Sequence, residues 1–193
     1  WFRWDGVRWR ETTSEDIEGY SQETVKELTK EAEKIEDPDA RLEFLRFART
    51  SQSARMVQAM ERLLRSREGV TIDSNQLGAQ NRFLTAQNGL VDLQTGALLP
   101  PDRDVLDNRV AGTYYDPSAT CPLFERTVLD AFWGDAEMAR FFQKVIGYSI
   151  LGDLSEQFIV MSYGHGANGK STIYEAINGA LGEYADTANA ATF

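Results

Sequence analysis

Gly164-His165-Gly166-Ala167-Asn168-Gly169-Lys170-Ser171-Thr172 reads GHGANGKST and satisfies every fixed position of the phosphate-loop pattern G-x-x-x-x-G-K-[ST]. Each residue type answers a requirement of holding a polyphosphate. Glycines at 164, 166 and 169 let the backbone take left-handed or crowded conformations, so that N–H groups, including those of His165, Ala167 and Asn168, turn toward phosphate oxygens. Lys170 reaches the β and γ phosphates as a point charge and is the candidate catalytic residue, while the Ser171 hydroxyl is the candidate ligand of the Mg²⁺ that bridges them. Thr172 follows at the helix start, where the dipole also favours anions.

The motif requires a buried strand before the loop and a helix after it. Gln157-Phe158-Ile159-Val160-Met161-Ser162-Tyr163 is a short, nearly continuous apolar run, the pattern of a parallel strand covered on both faces. Beyond the loop, Ile173, Ala176, Ile177, Ala180 and Leu181 recur at helical spacing until Gly182, a C-cap residue type. The plainer alternative is a glycine-rich turn with an incidental lysine, and the flanking strand and helix patterns argue against it.

Composition bounds the rest. A chain of 193 residues with 42% hydrophobic content suffices for one packed domain or two small ones. No apolar run approaches the ~20 residues that span a bilayer, and Trp1 opens neither a basic nor an apolar leader, so a membrane partner is not expected. The single cysteine, Cys121, permits no intramolecular disulfide, which suits a reducing cytoplasm. The single histidine, His165, lies inside the loop, so a metal site built on His and Cys is not expected.

A net charge of −10 argues against a strong stand-alone nucleic-acid binder. The charge is uneven, however. Acidic residues dominate from Glu11 to Asp39, whereas Arg41, Arg46, Arg49, Arg55, Arg62, Arg65 and Arg67 face only Glu43 and Glu61 in the stretch that follows. Arg46, Arg49, Arg55, Arg62 and Arg65 are the candidates for contact with DNA phosphates. The competing reading makes the arginines a solvated face, or partners of the preceding acidic helix.

Phe2 to Trp9 alternates around Asp5-Gly6, a tight-hairpin signal whose tryptophans share one apolar face. Val25, Leu28, Ala32 and Ile35 mark a helix ending at Asp37-Pro38; Leu42, Leu45 and Ala48, then Met56, Val57, Met60, Leu63 and Leu64, mark two more. From Phe83 to Leu99 two turn signals, Asn88-Gly89 and Thr95-Gly96, separate apolar residues and predict a small meander or hairpin. Two helices follow, over Leu123–Trp133 and after a cap at Asp135, the second with an apolar stripe of Met138, Phe141, Phe142, Val145 and Ile146.

These residues carry a family resemblance. Asn88-Gly89-Leu90-Val91-Asp92-Leu93 with Thr95-Gly96, Tyr115-Asp116-Pro117, Cys121-Pro122, Ile146-Gly147-Tyr148-Ser149-Ile150-Leu151-Gly152 and Gly166-Ala167-Asn168-Gly169-Lys170-Ser171 resemble, in that order, the phage and plasmid primase-helicase family that includes the poxvirus primase-helicase. The likeness spans roughly the last two thirds of the chain. It implies a helical N-terminal domain followed by a superfamily 3 helicase core, with ATP and Mg²⁺ held by Gly164, Gly166, Asn168, Gly169, Lys170 and Ser171. It further implies DNA as partner, self-assembly into a ring that is usually hexameric, a primase domain or primase partner, and work in the cytoplasm of a bacterial host on behalf of a phage or mobile element.

The expected fold is therefore mainly α with small β-hairpins (α+β), followed by the first strand-loop-helix of an α/β P-loop NTPase core. Residues 1–153 are expected to form a mostly α-helical collar-type domain with hairpins near 2–9 and 83–99, and residues 154–193 the start of the ATPase. Paired downstream acids, a sensor strand and an arginine finger are not found, so negligible ATP hydrolysis is expected of this polypeptide alone. Two other readings stay open: a different P-loop enzyme such as a small-molecule kinase, and a non-enzymatic oligomerisation or DNA-contacting module.

Overall fold

The computed structural model describes residues 1–152, 155–156, 158–164, 166 and 169–189. Among the described residues the chain is α+β, with six α-helices and two small antiparallel sheets. It divides into two compact units, one of Trp1–Arg3 and Arg10–Gln76, the other of Trp4–Trp9 and Leu77–Phe193. Strands β1 (Phe2–Trp4) and β2 (Trp9–Glu11) form the two-stranded sheet. Its turn is longer than the two-residue Asp-Gly type: the Asp5 carboxylate accepts from the backbone N–H groups of Val7 and Arg8 at 2.8 and 2.9 Å.

The first unit is built on α1 (Ser14–Ala32), α2 (Pro38–Ser51) and α3 (Ala54–Leu64), which pack pairwise. A capping box starts α1: the Thr13 hydroxyl accepts from the Asp16 N–H at 3.2 Å and the Asp16 carboxylate accepts from the Thr13 N–H at 3.1 Å. The Thr13 backbone N–H, followed by the hydroxyls of Thr12 and Thr13, holds the Asp16 carboxyl below its usual pKa. Asp37 caps α2, accepting from Ala40 N–H at 2.9 Å, and Pro38 occupies its first turn, where a missing N–H costs nothing. The first helix stops at Ala32, short of Asp37-Pro38. The link is held by the Arg41 guanidinium, which donates to the Ile35 carbonyl at 2.9 and 2.6 Å. Val25, Ala32, Ala48 and Val57 form the buried centre, small side chains that permit close helix approach.

In the second unit β3 (Phe83–Ala86), β4 (Gly89–Asp92) and β5 (Leu98–Leu99) make the expected meander, antiparallel in the order β3-β4-β5. Ala86 pairs with Gly89, so the first turn centres on Gln87-Asn88, one residue earlier than the Asn-Gly signal. Helix α4 spans Pro122–Ala131, α5 spans Ala136–Leu151 and α6 spans Lys170–Leu181. Asp135 caps α5 as expected, accepting from Glu137 and Met138 N–H groups at 3.0 Å each.

The segment preceding the loop differs from expectation. Residues 158–164 carry no strand assignment, and Met161 and Tyr163 are 83% and 94% exposed. A parallel strand takes its hydrogen bonds and its cover from neighbouring strands. The described residues supply no neighbouring strand for this one, so residues 158–164 belong to no ladder.

Candidate functional site

Gly169 precedes α6 with φ 79° and ψ −2°, a left-handed conformation that costs glycine nothing and would strain other residues. Among the described residues no side-chain hydrogen bond caps this helix, at the end where the dipole attracts anions. The ladder begins with Ile173 N–H donating to the Gly169 carbonyl at 3.0 Å. Lys170, the first helical residue, folds back so that its Nζ donates to the Gly164 carbonyl at 3.2 Å. The ammonium thus bridges the two ends of the loop. Ser171 and Thr172 are exposed on the first turn, and a Cβ at Gly166 would meet no atom within 4 Å. His165, Ala167 and Asn168 lie outside the described residues, as does Gln157.

The far end of α6 is anchored by a polar cluster. Asp107 accepts from the Thr85 hydroxyl at 2.9 Å and from the Tyr184 hydroxyl, and the Tyr184 oxygen in turn accepts from the Thr85 N–H at 2.9 Å. The Arg109 guanidinium lies 4.8 Å from the Tyr184 ring centre. Burial, then the Asp107 hydrogen bond, pushes the Tyr184 pKa up to about 12. Gly112 N–H donates to the Ala180 carbonyl at 3.0 Å, an approach so close that a Cβ on Gly112 would stand 1.9 Å from the Gly179 oxygen. The loop's helix is therefore held at its C-terminus by residues of the 85–112 region. Asp107 and Tyr184 carry no periodicity or motif that would have marked them, because their partners lie 22 and 77 residues away.

Three aromatic rings connect α6 to the helices beside it. Phe132 and Phe142 are 5.7 Å apart, and Phe142 meets Tyr174 edge-on at 6.1 Å. Among the described residues no cluster of three or more His, Cys, Asp or Glu side chains is placed to hold a metal ion.

The candidate DNA contacts lie in the first unit. Arg46, Arg49, Arg55 and Arg62 are exposed on α2 and α3 and form no ion pair among the described residues, so pairing with the acidic α1 is not how their charge is met. Arg65 differs: it pairs with Glu61 at 2.9 Å and stacks on the Trp1 ring at 5.1 Å. Trp1 Nε1–H also donates to Glu61 at 3.1 Å, so the Glu61 carboxyl is held below its usual pKa, first by Arg65 and then by Trp1.

The turns of the meander are knitted to one tyrosine. The Asn88 amide donates to the Tyr115 carbonyl and accepts from the Tyr115 N–H, both at 2.9 Å, and the Tyr115 hydroxyl donates to the Gly96 carbonyl at 2.9 Å. Asn88, Gly96 and Tyr115 are residues on which the resemblance to primase-helicases rests, and here they converge on one latch. Residues 1–133 match the family described as D5 N-terminal like. The chain belongs to that family, the N-terminal domain of phage- and poxvirus-type primase-helicase proteins, whose context is DNA replication. No curated protein matches the chain. The family match ends before α5, so the loop at 164–172 stands outside it. Among the described residues no helix is long and apolar enough to cross a membrane.

Proposed function

We propose that this chain is the N-terminal part of an ATP-dependent DNA helicase or primase-helicase that serves replication of a phage or mobile element, and that residues 164–172 bind ATP·Mg²⁺. The observation that carries the reading is the Lys170 ammonium on the Gly164 carbonyl, across a loop closed by left-handed Gly169 at the uncapped start of α6. A triphosphate offers that ammonium, and the positive end of the α6 dipole, an anion. Ser171, exposed on the first turn, is the donor for Mg²⁺, whose remaining ligands are the nucleotide's own oxygens and water. Self-assembly into a hexameric ring, a primase domain or partner, and a bacterial cytoplasmic setting follow from the family resemblance and belong to the same proposal. Calorimetric titration of Mg·ATP into the chain tests the loop. Saturable binding that Lys170→Ala abolishes is the expected result; equal binding by both proteins, or none by either, would overturn it.

Arg46, Arg49, Arg55 and Arg62, exposed and without an ion pair among the described residues, support a second role, contact with DNA phosphates through α2 and α3. Each phosphate contact releases a counterion, so replacing Arg46 or Arg62 by Ala should lower the slope of log K against log salt by about 1. DNA affinity that does not change with salt would remove this role.

A further inference from the structure

Beside the loop, α4, α5, α6 and residues 160–163 enclose a cavity of about 470 Å³, and Lys170 forms part of its wall. The rest of the lining is mostly aromatic and aliphatic. Phe132, Phe142 and Tyr174 make one continuous wall of rings, and Trp133 and Tyr163 stand at the opening. Trp133 is 90% exposed and sits at φ 60°, a conformation that strains a bulky residue, followed by Gly134 at φ 84°. This left-handed pair ends α4 with an indole presented to solvent rather than folded into the core. A polar pair is set into the same lining, where the Ser162 and Tyr174 hydroxyls lie 2.5 Å apart.

An aromatic-walled cavity that shares a lysine with a phosphate loop matches the two halves of one ligand class. A nucleotide is an anionic chain joined through a sugar to a flat heterocycle, and flat heterocycles bind by stacking on aromatic faces while their edges exchange hydrogen bonds. We propose that this cavity seats the base of the nucleoside triphosphate, with Trp133 and Tyr163 stacking on it and the Ser162–Tyr174 hydroxyl pair meeting its polar edge. The proposal rests on the phosphate-loop reading above and extends it to residues outside the motif. Volume agrees, since small-ligand sites run to roughly 300–1,000 Å³.

Three probes separate the two readings: Mg·ATP, Mg·tripolyphosphate, which has no base, and adenosine, which has no phosphate. The variants are Trp133→Gly, which removes the indole while suiting the left-handed backbone, Tyr163→Ala and Lys170→Ala. Stacking losses on aromatic truncation predict a roughly tenfold weaker ATP affinity in Trp133→Gly and in Tyr163→Ala, with tripolyphosphate affinity unchanged. Adenosine should quench Trp133 fluorescence equally in the unaltered chain and in Lys170→Ala; Trp133→Gly supplies the background from the other three tryptophans. If ATP and tripolyphosphate bind alike and neither aromatic variant matters, the base site is overturned and the phosphate loop stands. If neither phosphate ligand binds yet adenosine quenches Trp133, the loop reading fails and the base site stands. No response to any probe overturns both.

Discussion

The Tyr184 hydroxyl donates its hydrogen bond to the Asp107 carboxylate across 77 residues of chain, and its oxygen accepts from the N–H of Thr85, a residue with no exposed surface. This contact joins the end of α6 to the first strand of the meander. Helix α6, which follows the glycine-rich stretch, is thereby held at its C-terminal end.

Removing that hydroxyl tests the anchor. Tyr184→Phe keeps the ring under Arg109 but leaves the Thr85 N–H and one Asp107 lone pair without their partner, so unfolding free energy should fall by about 1–3 kcal/mol. Because the folded phenol titrates at about 12, above its usual ~10, the neutral form is favoured in the fold. Its contribution is complete below pH ~10 and is lost as pH rises toward about 12. Chemical denaturation across that window should show a decline that Tyr184→Phe lessens. An unchanged alkaline limb would separate the phenol from stability.

The local parts of this architecture were legible in the sequence, and the reason is physical. Helix periodicity, the Asp37-Pro38 and Asp135 starts, the turns flanking β4 and the glycine that opens α6 are set by residues a few positions apart. They fold where local chemistry directs them. The apolar run at 158–163 read as a strand because burial on two faces and high exposure leave the same pattern of residue types; only a neighbouring strand distinguishes them. In the same way the Asp107–Tyr184–Thr85 cluster and the indole of Trp133 depend on distant segments or on one backbone angle, and no spacing announces either.

Acid should weaken the meander. The Arg82 guanidinium at 2.7 Å, with help from the Gln94 N–H, holds the Asp92 carboxyl at about 2, below the usual carboxylate value near ~3.9. The ionised form is the one the fold favours. Its stabilisation is therefore complete above pH ~4 and is lost as pH falls through about 2. Amide exchange in β4, followed from pH 5 downward, should rise over that interval in the unaltered chain and be flatter in Asp92→Asn. Identical profiles would remove the ion pair from the account.

Asn88 is expected to matter beyond its turn. Its amide makes two hydrogen bonds to the Tyr115 backbone, so Asn88→Ala should cost about 1–2 kcal/mol and increase exchange at the Tyr115 N–H. Asn88→Asp retains the acceptor and loses the donor, and should fall between the two. Equal stability of all three proteins would show that the latch contributes nothing.

Gly112 meets the end of α6 backbone to backbone. A Cβ at this position would stand 1.9 Å from the Gly179 oxygen, and Gly182 opposes it at φ 56° with its own Cβ direction 2.4 Å from the Gly112 nitrogen. Backbone atoms cannot step aside as a flexible side chain can, so the added methyl must push the segments apart and break the Gly112 N–H to Ala180 bond. Gly112→Ala should therefore destabilise by about 3 kcal/mol, at the upper end of overpacking effects. Gly19→Ala, at a helical position with no atom within 4 Å of the new methyl, should be neutral or slightly stabilising. If α6 is held as described, Gly112→Ala should also weaken ATP binding although no ligand touches residue 112. If ATP affinity is unchanged while stability falls, the loop's geometry is set by Gly164, Gly169 and Lys170 alone.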